Sequence, residues 1–240
     1  MKVKRISLHS VTERDDKSVN QNKEQQNDDG TIHNMAWVID DALSNEFLDL
    51  VQRVRLSLPL DTKRPTVKRR FFSAAKECPE MIEGIREAIQ AAMAVKDQTK
   101  ELQVLVISST KNVPNVQVHV LSYMRYLEYD EIGGHLDPHT DGNKVCEDTG
   151  RRSTHTMLIY LRDCQEGGET ILLEGAQKQK AEQQQKQQSV PRQVIEAVAP
   201  QKGRILLFPH PIWHEGAPIK DVPKICLRAE VCLFRQEESG

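Results

Sequence analysis

The sequence is poor in apolar residues and contains no long apolar run. Apolar side chains make up 38% of the 240 residues, and the mean hydropathy is −0.57. No stretch approaches the ~20 residues of a membrane span, and the basic N-terminus never develops the apolar core of a signal peptide. The length is enough for one domain with a core. We therefore expect a soluble intracellular protein, cytoplasmic or nuclear, with no membrane partner.

Several features that mark particular protein classes are also missing. The five cysteines are odd in number and form no C-x-x-C pair, which argues against a disulfide framework or a structural zinc site and favours a reducing compartment. The net charge is only −2, so the composition does not indicate a nucleic-acid partner. Neither G-x-S-x-G nor a P-loop occurs, so no side-chain nucleophile is indicated.

Two segments are too polar to bury much surface. Residues 1–34 include "VNQNKEQQNDDG" and are predicted to be a disordered polar tail. The folded domain is then expected over residues 35–240, opening at "MAWVIDDALS". Within it, the Gln- and Lys-rich residues 175–193 are predicted to be a solvated insertion between strands, with a lid over an active site as the alternative.

Two helices are predicted ahead of the strands. Ser44 is a good N-cap for "NEFLDLVQRVRLSL", in which apolar residues recur at helical spacing. A second helix is expected to begin near Pro79. Its apolar stripe comprises Ile82, Ile85, Ile89 and Ala92.

From residue 103 onward, short β-rich runs follow one another. They are "VQVHVLSYMRYLEY", "THTMLIYL", "GRILLFP" and "KICLRAEVCLF", divided by Gly, Pro and Asp. Such strands predict an antiparallel jelly-roll sandwich or barrel. With the helices covering one sheet face, the fold class is α+β, mainly β.

The segment "GGHLDPHTDG" (133–142) contains two His-x-Asp triplets, one at His135 and Asp137 and one at His139 and Asp141. Either pair can bind one face of a metal ion if a third ligand joins it. A 2-His-1-carboxylate triad with open positions is typical of non-heme Fe(II) enzymes, although catalytic zinc also uses three ligands. The candidates for the third ligand are His155, His210 and His214.

Four segments in order resemble a known family: the metal motif, "RRSTHTMLIYLRDCQEGGET", "VAPQKGRILLFPHPIWHEGAP" and "PKICLRAEV". Over residues 120–235 the chain resembles the catalytic domain of the Fe(II)/2-oxoglutarate-dependent dioxygenases, in the prolyl 4-hydroxylase-like branch. The resemblance implies a double-stranded β-helix (jelly-roll) core. It also implies a hydroxylase that uses Fe(II), 2-oxoglutarate and O2, with ascorbate as the reductant.

The resemblance assigns the metal ligands to His139, Asp141 and His214. It selects the second triplet because the family's proline directly precedes its metal histidine, as Pro138 precedes His139. His135 and Asp137 are then neighbouring loop residues. The phrase H-x-G-x-P selects His214 over His210, which is interpreted as structural, and His155 is interpreted as a sheet histidine.

The buried distal carboxylate of 2-oxoglutarate requires a cation. Lys224 and Arg228 lie on the strand after His214, and their even spacing puts both on one face. Lys224 resembles the lysine that the prolyl hydroxylase pattern has at the earlier position. The segment "LRAE", which contains Arg228, instead resembles the L-R-x-E/D pattern of other relatives. Arg228 is favoured because it lies deeper in the strand and can bind bidentately.

Further pocket residues follow from the same resemblance. Tyr160 matches the tyrosine whose hydroxyl meets that carboxylate, with a core aromatic as the alternative. Tyr129 resembles the tyrosine upstream of the metal motif but lies one residue too far from His139, which leaves Tyr126 as a rival. Thr156 is expected to line the pocket. Trp213 either lines the substrate mouth or packs in the core, and Gly167, Gly168 and Glu169 are expected to shape a turn.

The branch suggests a protein or peptide side chain as substrate, with proline first. Relatives also act on small molecules and nucleic acids, and the core does not choose among them. The rival hypotheses are a catalytically silent binding module and a zinc hydrolase. The basic loop "KRPTVKRR" either attracts an acidic partner or is a solvated face.

Overall fold

A computed structural model describes residues 1–8, 34–63, 66–95, 116–146, 149–175, 192–220 and 223–235. The strands in these ranges are β1 Lys2–Ser7, β2 Met35–Asp40, β3 Lys68–Ser73, β4 Val116–Val120, β5 Tyr123–Tyr129, β6 Leu136–His139, β7 His155–Tyr160, β8 Thr170–Leu173, β9 Val194–Val198, β10 Ile205–Pro209, β11 Trp213–Gly216 and β12 Lys224–Arg235. The helices are α1 Asn45–Ser57, α2 Ala74–Glu77 and α3 Pro79–Ala94. None of these helices is long and apolar enough to cross a membrane.

The strands form two antiparallel sheets. The larger has eight strands in the order β1-β2-β10-β7-β12-β5-β3, with β4 pairing with the far half of β12. The smaller has four strands in the order β6-β11-β8-β9. This is the double-stranded β-helix that the sequence predicts, with mainly β structure and the helices packed on one sheet.

The larger sheet is buried on both faces, and the two-residue period of a strand divides its side chains between them. On β7, Met157 and Ile159 join the core against the helices, whereas Leu158 and Tyr160 join the core between the sheets. On β12 the odd positions from Ile225 to Leu233 pack toward the helices. The even positions are therefore directed toward the smaller sheet, and they include two buried cations.

Both predicted helices are confirmed. Helix α1 begins after Ser44, whose side chain accepts a hydrogen bond from the Phe47 N–H (3.2 Å). Helix α3 begins at Pro79, whose missing N–H costs nothing in the first turn. The predicted stripe is buried at Ile85, Ile89 and Ala92.

The predicted polar tail is wrong for its first residues. Lys2–Ser7 pair antiparallel with Met35–Asp40 as an edge strand of the larger sheet. Ile6 and Leu8 are buried against the core between the sheets, while the charged residues remain outside. Residues 9–33 of the tail and 176–191 of the insertion lie outside the described residues.

Candidate metal and cosubstrate site

The side chains of His139, Asp141 and His214 meet beside the β6–β11 pairing. His139 ends β6 and lies directly opposite His214 on β11. Nε2 of His139 is 3.8 Å from Oδ1 of Asp141, and Nε2 of His214 is 3.5 Å from Oδ2. The donor atoms all lie within 4.8 Å of one another. Two imidazoles and one carboxylate so placed can bind one face of a metal ion.

Both histidine rings are oriented for metal binding by their second nitrogen. Nδ1 of His139 is 2.8 Å from the carbonyl oxygen of Asp137, and Nδ1 of His214 is 3.1 Å from that of Ile212. A carbonyl only accepts, so Nδ1 carries the hydrogen and Nε2 keeps its lone pair. Burial also lowers the pKa of His214 to about 4, against the opposing effect of Asp141. The donor set therefore fits a divalent metal ion.

Asp141 is held as a carboxylate. Its Oδ2 accepts from the Thr156 hydroxyl (2.6 Å), and its Oδ1 is 2.9 Å from Nη2 of Arg228. Burial alone would raise the pKa of Asp141, but Arg228, His214 and the Thr156 hydroxyl outweigh it and hold the pKa well below its usual range. The third ligand candidate is thus charged before any metal binds.

The first triplet lies apart from this cluster. Nε2 of His135 is 3.6 Å from Oδ1 of Asp137, but the Asp137 side chain is 91% exposed. In the part of the chain that the structure describes, only His139, Asp141 and His214 form a group of three potential ligands. His135 and Asp137 have no third partner there.

His210 belongs to a buried hydrogen-bond chain behind Asp141. Its Nδ1 lies 2.9 Å from the Thr156 hydroxyl, whose hydrogen is directed to Asp141, and its Nε2 lies 2.8 Å from Ser153 Oγ. His210 therefore donates to Thr156 and accepts from Ser153. His155 lies on another face, where Nε2 is 3.3 Å from the carbonyl of Met35 and the ring contacts Trp37.

A cavity of about 450 Å³ opens beside the triad. This volume lies within the range of ~300–1,000 Å³ that is typical of small-molecule sites. All three ligand candidates line it, and so do four cationic side chains: Arg69, Arg125, Lys224 and Arg228.

The two cations named from the sequence both face this cavity but have different surroundings. Lys224 is 2% exposed, and its Nζ donates to the Thr170 hydroxyl (3.2 Å). No carboxylate among the described residues lies within ion-pair distance of it, and burial lowers its pKa. Arg228 instead has two carboxylate partners, Asp141 at 2.9 Å and Glu230 at 2.6 Å.

The family follows from the sequence of this region. Residues 121–229 match the family model of the 2OG-Fe(II) oxygenase superfamily. The chain carries a 2OG-Fe(II) oxygenase domain. The protein is accordingly a 2-oxoglutarate-dependent dioxygenase, a class that uses Fe(II), 2-oxoglutarate and O2.

Solved structures share the fold of this oxygenase. HygX from Streptomyces hygroscopicus, with nickel, 2-oxoglutarate and hygromycin B bound, has a TM-score of 0.51 at 12% identity, covering 82% of each chain. The α-ketoglutarate-dependent epimerase SnoN from nogalamycin biosynthesis has a TM-score of 0.50 at 10% identity, covering 82% of this chain and 78% of its own. A collagen prolyl hydroxylase from Paramecium Bursaria Chlorella virus-1 has a TM-score of 0.47 at 16% identity, covering 82% of this chain and 94% of its own. No curated protein matches the chain by sequence.

The tyrosines of the oxygenase are divided between two sheet faces. Tyr129 lines the cavity, and Lys224 Nζ is 5.2 Å from its ring centroid. Tyr126 points the other way and donates to the Val51 carbonyl (2.8 Å) in helix α1. Tyr160 is completely buried, and its hydroxyl donates to Thr170 Oγ1 (2.8 Å), the same atom that Lys224 contacts.

Trp213 does not line the cavity. Its ring lies under the guanidinium of Arg192, 3.5 Å from the centroid, at the described end of the predicted insertion.

Gly167 and Gly168 both have positive φ in the turn before β8, at 74° and 73°. A Cβ at Gly167 would collide with the Pro218 carbonyl oxygen, so this turn requires glycine.

Three residues of the cavity wall were not identified from the sequence. Thr170 follows "GGE" as the first residue of β8, and its hydroxyl accepts from both Tyr160 and Lys224. Arg69 and Arg125 lie on β3 and β5 and line the cavity. In the sequence of a single strand, charged residues predict the side that faces solvent. Only the pairing of β3 with β5 and of β5 with β12 shows that these two arginines face the cavity.

Proposed function

We propose that this oxygenase hydroxylates a C–H bond of its substrate while converting 2-oxoglutarate and O2 to succinate and CO2. His139, Asp141 and His214 would hold Fe(II), and Lys224 would bind the distal carboxylate of 2-oxoglutarate. The observation that carries the proposal is that the triad and a buried lysine face one cavity, and that this lysine has no carboxylate partner among the described residues. Ascorbate is the expected reductant.

The donor set is suited to this role. Bound Fe(II), with 2-oxoglutarate and O2, supplies the oxidising chemistry, and three protein ligands leave three coordination positions for those partners. The chain contributes orientation, because each imidazole is anchored through Nδ1 and Asp141 is anchored by Thr156 and Arg228.

Lys224, rather than the cation favoured from the sequence, fits the distal carboxylate. Arg228 is already paired with Asp141 and Glu230, so recruiting it would break two buried ion pairs. Lys224 is buried, and in the part of the chain that the structure describes its one close polar contact is the Thr170 hydroxyl. Since Thr170 Oγ1 accepts from both Tyr160 and Lys224, its own hydrogen can be donated to an incoming carboxylate.

Tyr129 and Tyr160 would complete this end of the cavity in different ways. Tyr129 lines it directly beside Lys224, whereas Tyr160 acts through Thr170. Burial raises the pKa of both phenols above the ordinary value. Both therefore remain neutral and can act as hydrogen-bond donors.

For the substrate, we propose a protein or peptide side chain, with proline as the first candidate. The support is the resemblance of P-H-x-D, GGET and H-x-G-x-P to the prolyl 4-hydroxylase-like branch. HygX was solved with hygromycin B bound and SnoN is an epimerase from nogalamycin biosynthesis, so a small molecule is the alternative outcome of the test.

Anaerobic titration with Fe(II) and 2-oxoglutarate tests the site. The weak visible charge-transfer band of the chelate is expected in the wild type and in Asp137→Ala, and should vanish in His139→Ala. Absence of the band from folded, metal-loaded wild-type protein would remove the dioxygenase assignment and favour the silent binding module. Succinate release on addition of O2 and ascorbate then separates a silent module from an enzyme. Mass spectrometry of proline-containing peptides, scored for a gain of one oxygen, tests the substrate.

A further inference from the structure

Arg125 lines the cavity at the end remote from Lys224. In the pairing of β5 with β12, Lys224 lies opposite Tyr129 and Arg228 lies opposite Arg125. Four residues of strand separate the two pairs, or about 13 Å at ~3.3 Å per residue. If 2-oxoglutarate binds to Lys224 and Tyr129 as proposed, Arg125 lies at the other end of the cavity, where it can contact a second reactant.

Among the described residues, the guanidinium of Arg125 forms no ion pair. Its Nε is buried without a hydrogen-bond partner, and no carboxylate in the described ranges lies within ion-pair distance of it. The opposing side chain on β12 is another cation, Arg228. Burial and the charge of Arg228 lower the pKa of Arg125 to about 10, against the opposing effects of Glu230 and Asp141. A half-buried cation beside a like charge is unfavourable until an anion binds to it.

The acidic groups of the cavity do not fill this role. Asp141 and Glu230 are both paired with Arg228. The Asp137 side chain is 91% exposed, and neither it nor Glu215 forms an ion pair with Arg125 in the described part of the chain. If 2-oxoglutarate occupies Lys224, the positive charge of Arg125 remains for another ligand.

The surface next to Arg125 can accept an organic group. Phe71 lies opposite Arg125 on β3, and its ring stacks on Tyr123 with centroids 6.2 Å apart. Tyr123 is 56% exposed. An oxyanion and an apolar body can therefore be bound side by side along the β3–β5 edge of the cavity.

We propose that the substrate of this oxygenase carries an oxyanion, a carboxylate or a phosphate monoester, which Arg125 binds. This proposal rests on the proposed function, because it treats the triad as the metal site and Lys224 as the cosubstrate site. Arg125 can bind such a group with two N–H donors, which fixes orientation as well as charge. A substrate C–H bond between the oxyanion and the triad would then face the metal.

The test uses the full chain loaded with Mn(II), which does not turn over, and saturated with 2-oxoglutarate. Acetate, methyl phosphate and the neutral control acetamide each carry one methyl group, whose proton signal broadens when it is held near Mn(II). We expect saturable broadening for acetate or methyl phosphate and much less for acetamide. The anion that causes the stronger broadening shows whether the substrate's oxyanion is a carboxylate or a phosphate monoester. Replacing Mn(II) with Mg(II) should abolish the effect.

Substitutions at Arg125 test whether this residue binds the anion that is broadened. Arg125→Gln should weaken anion binding about tenfold, whereas Arg53→Gln removes the same charge from an exposed position on α1 and should change nothing. Arg125→Lys keeps the charge and should retain part of the binding. If Arg125→Gln fails to fold, Arg125→Lys decides, because the loss of the paired N–H donors should weaken the anion-dependent broadening there but would leave acetate bound directly to the metal unchanged.

Two outcomes would overturn the proposal. One is equal broadening for acetate and acetamide, and the other is anion broadening that Arg125→Gln leaves unchanged, as expected of acetate bound directly to the metal. Failure of the proposed function is distinguishable, because calorimetry on the same samples would then detect no binding of 2-oxoglutarate to the Mn(II)-loaded protein.

Discussion

The guanidinium of Arg228 lies 2.9 Å from Oδ1 of Asp141, so a cation of strand β12 is bonded to a metal-ligand candidate. Its second partner, Glu230, is 2.6 Å away and equally buried. Four residues earlier on the same face, Lys224 has no such partner in the described residues. The two cations therefore have separate roles, one orienting Asp141 and the other available to an anionic ligand.

Replacing Lys224 should abolish cosubstrate binding without removing the metal. Lys224→Met is expected to raise the Kd of 2-oxoglutarate on the order of 100-fold, because the distal carboxylate would be buried without its counter-ion. Affinity for Mn(II) alone should change little. Isothermal titration of the metal-free protein with Mn(II), and of the Mn(II)-loaded protein with 2-oxoglutarate, measures the two affinities.

Two further variants control this experiment. Lys220→Met removes a lysine that pairs with Glu166 at the surface and should leave the Kd unchanged. Arg228→Met leaves Glu230 buried and unpaired, so it should lower the free energy of unfolding by about 3 kcal/mol with a smaller effect on 2-oxoglutarate. A loss of 2-oxoglutarate affinity in Arg228→Met equal to that in Lys224→Met would return the assignment to Arg228.

Binding of 2-oxoglutarate should weaken as the pH rises through the lowered pKa of Lys224. Burial lowers the pKa of Lys224 below its ordinary value, and a carboxylate binds only the protonated amine. Affinity is therefore full below this lowered pKa and falls as the pH rises through it, within a window that ends before about 10.5. Calorimetric titrations between pH 7 and pH 9 measure the slope.

The variant Lys224→Arg provides the control for this pH dependence. A guanidinium stays protonated throughout the window, so the slope should disappear even if the affinity at pH 7 is lower. An identical slope in the wild type and in Lys224→Arg would show that another group titrates.

The sequence was sufficient where the chemistry is local. The three metal-ligand candidates, which the structure brings together, follow from short motifs, and the helices follow from Ser44, Pro79 and the apolar period. The even spacing of Lys224 and Arg228 also predicted that both would share one face. The local sequence could not show which of the two cations is available to an anionic ligand, because Arg228 pairs with Asp141, which is distant in sequence.

Long-range pairing explains the remaining differences. Lys2–Ser7 alternate charged and apolar residues weakly, and they form a strand only because β2 offers a sheet edge. Tyr126 and Tyr129 are three positions apart, an odd offset, so the strand directs one to the helices and the other to the cavity. The sequence of β5 alone predicts that Arg125 faces solvent. Its position in the cavity wall follows only from the placement of β5 between β3 and β12.

Metal affinity should distinguish the two His-x-Asp triplets. Asp141→Ala removes the charged ligand candidate and should weaken Mn(II) binding on the order of 100-fold or more, beyond the typical effect of losing an outer hydrogen-bond partner. Asp137→Ala removes a side chain that is 91% exposed and should leave the Kd within about twofold, since it contributes no ligand atom. Calorimetric Mn(II) titration compares them, and the reverse order would identify the first triplet as the site.

Replacing Glu128 should destabilise the fold without changing the affinity for 2-oxoglutarate. This carboxylate lies on the face of β5 opposite to the cavity, where it pairs with Arg55 of α1 (2.7 Å) and Arg70 of β3 (2.5 Å). Glu128→Gln leaves both guanidiniums without their counter-ion and should lower the free energy of unfolding by about 3 kcal/mol. The surface pair of Glu83 and Arg86 provides the matched control, because Glu83→Gln makes the same chemical change in solvent and should have no measurable effect. Urea unfolding measures both variants, and 2-oxoglutarate should bind folded Glu128→Gln with wild-type affinity. A large loss of that affinity would mean that the helix-facing side of the sheet is coupled to the cavity, contrary to the division of faces along β5.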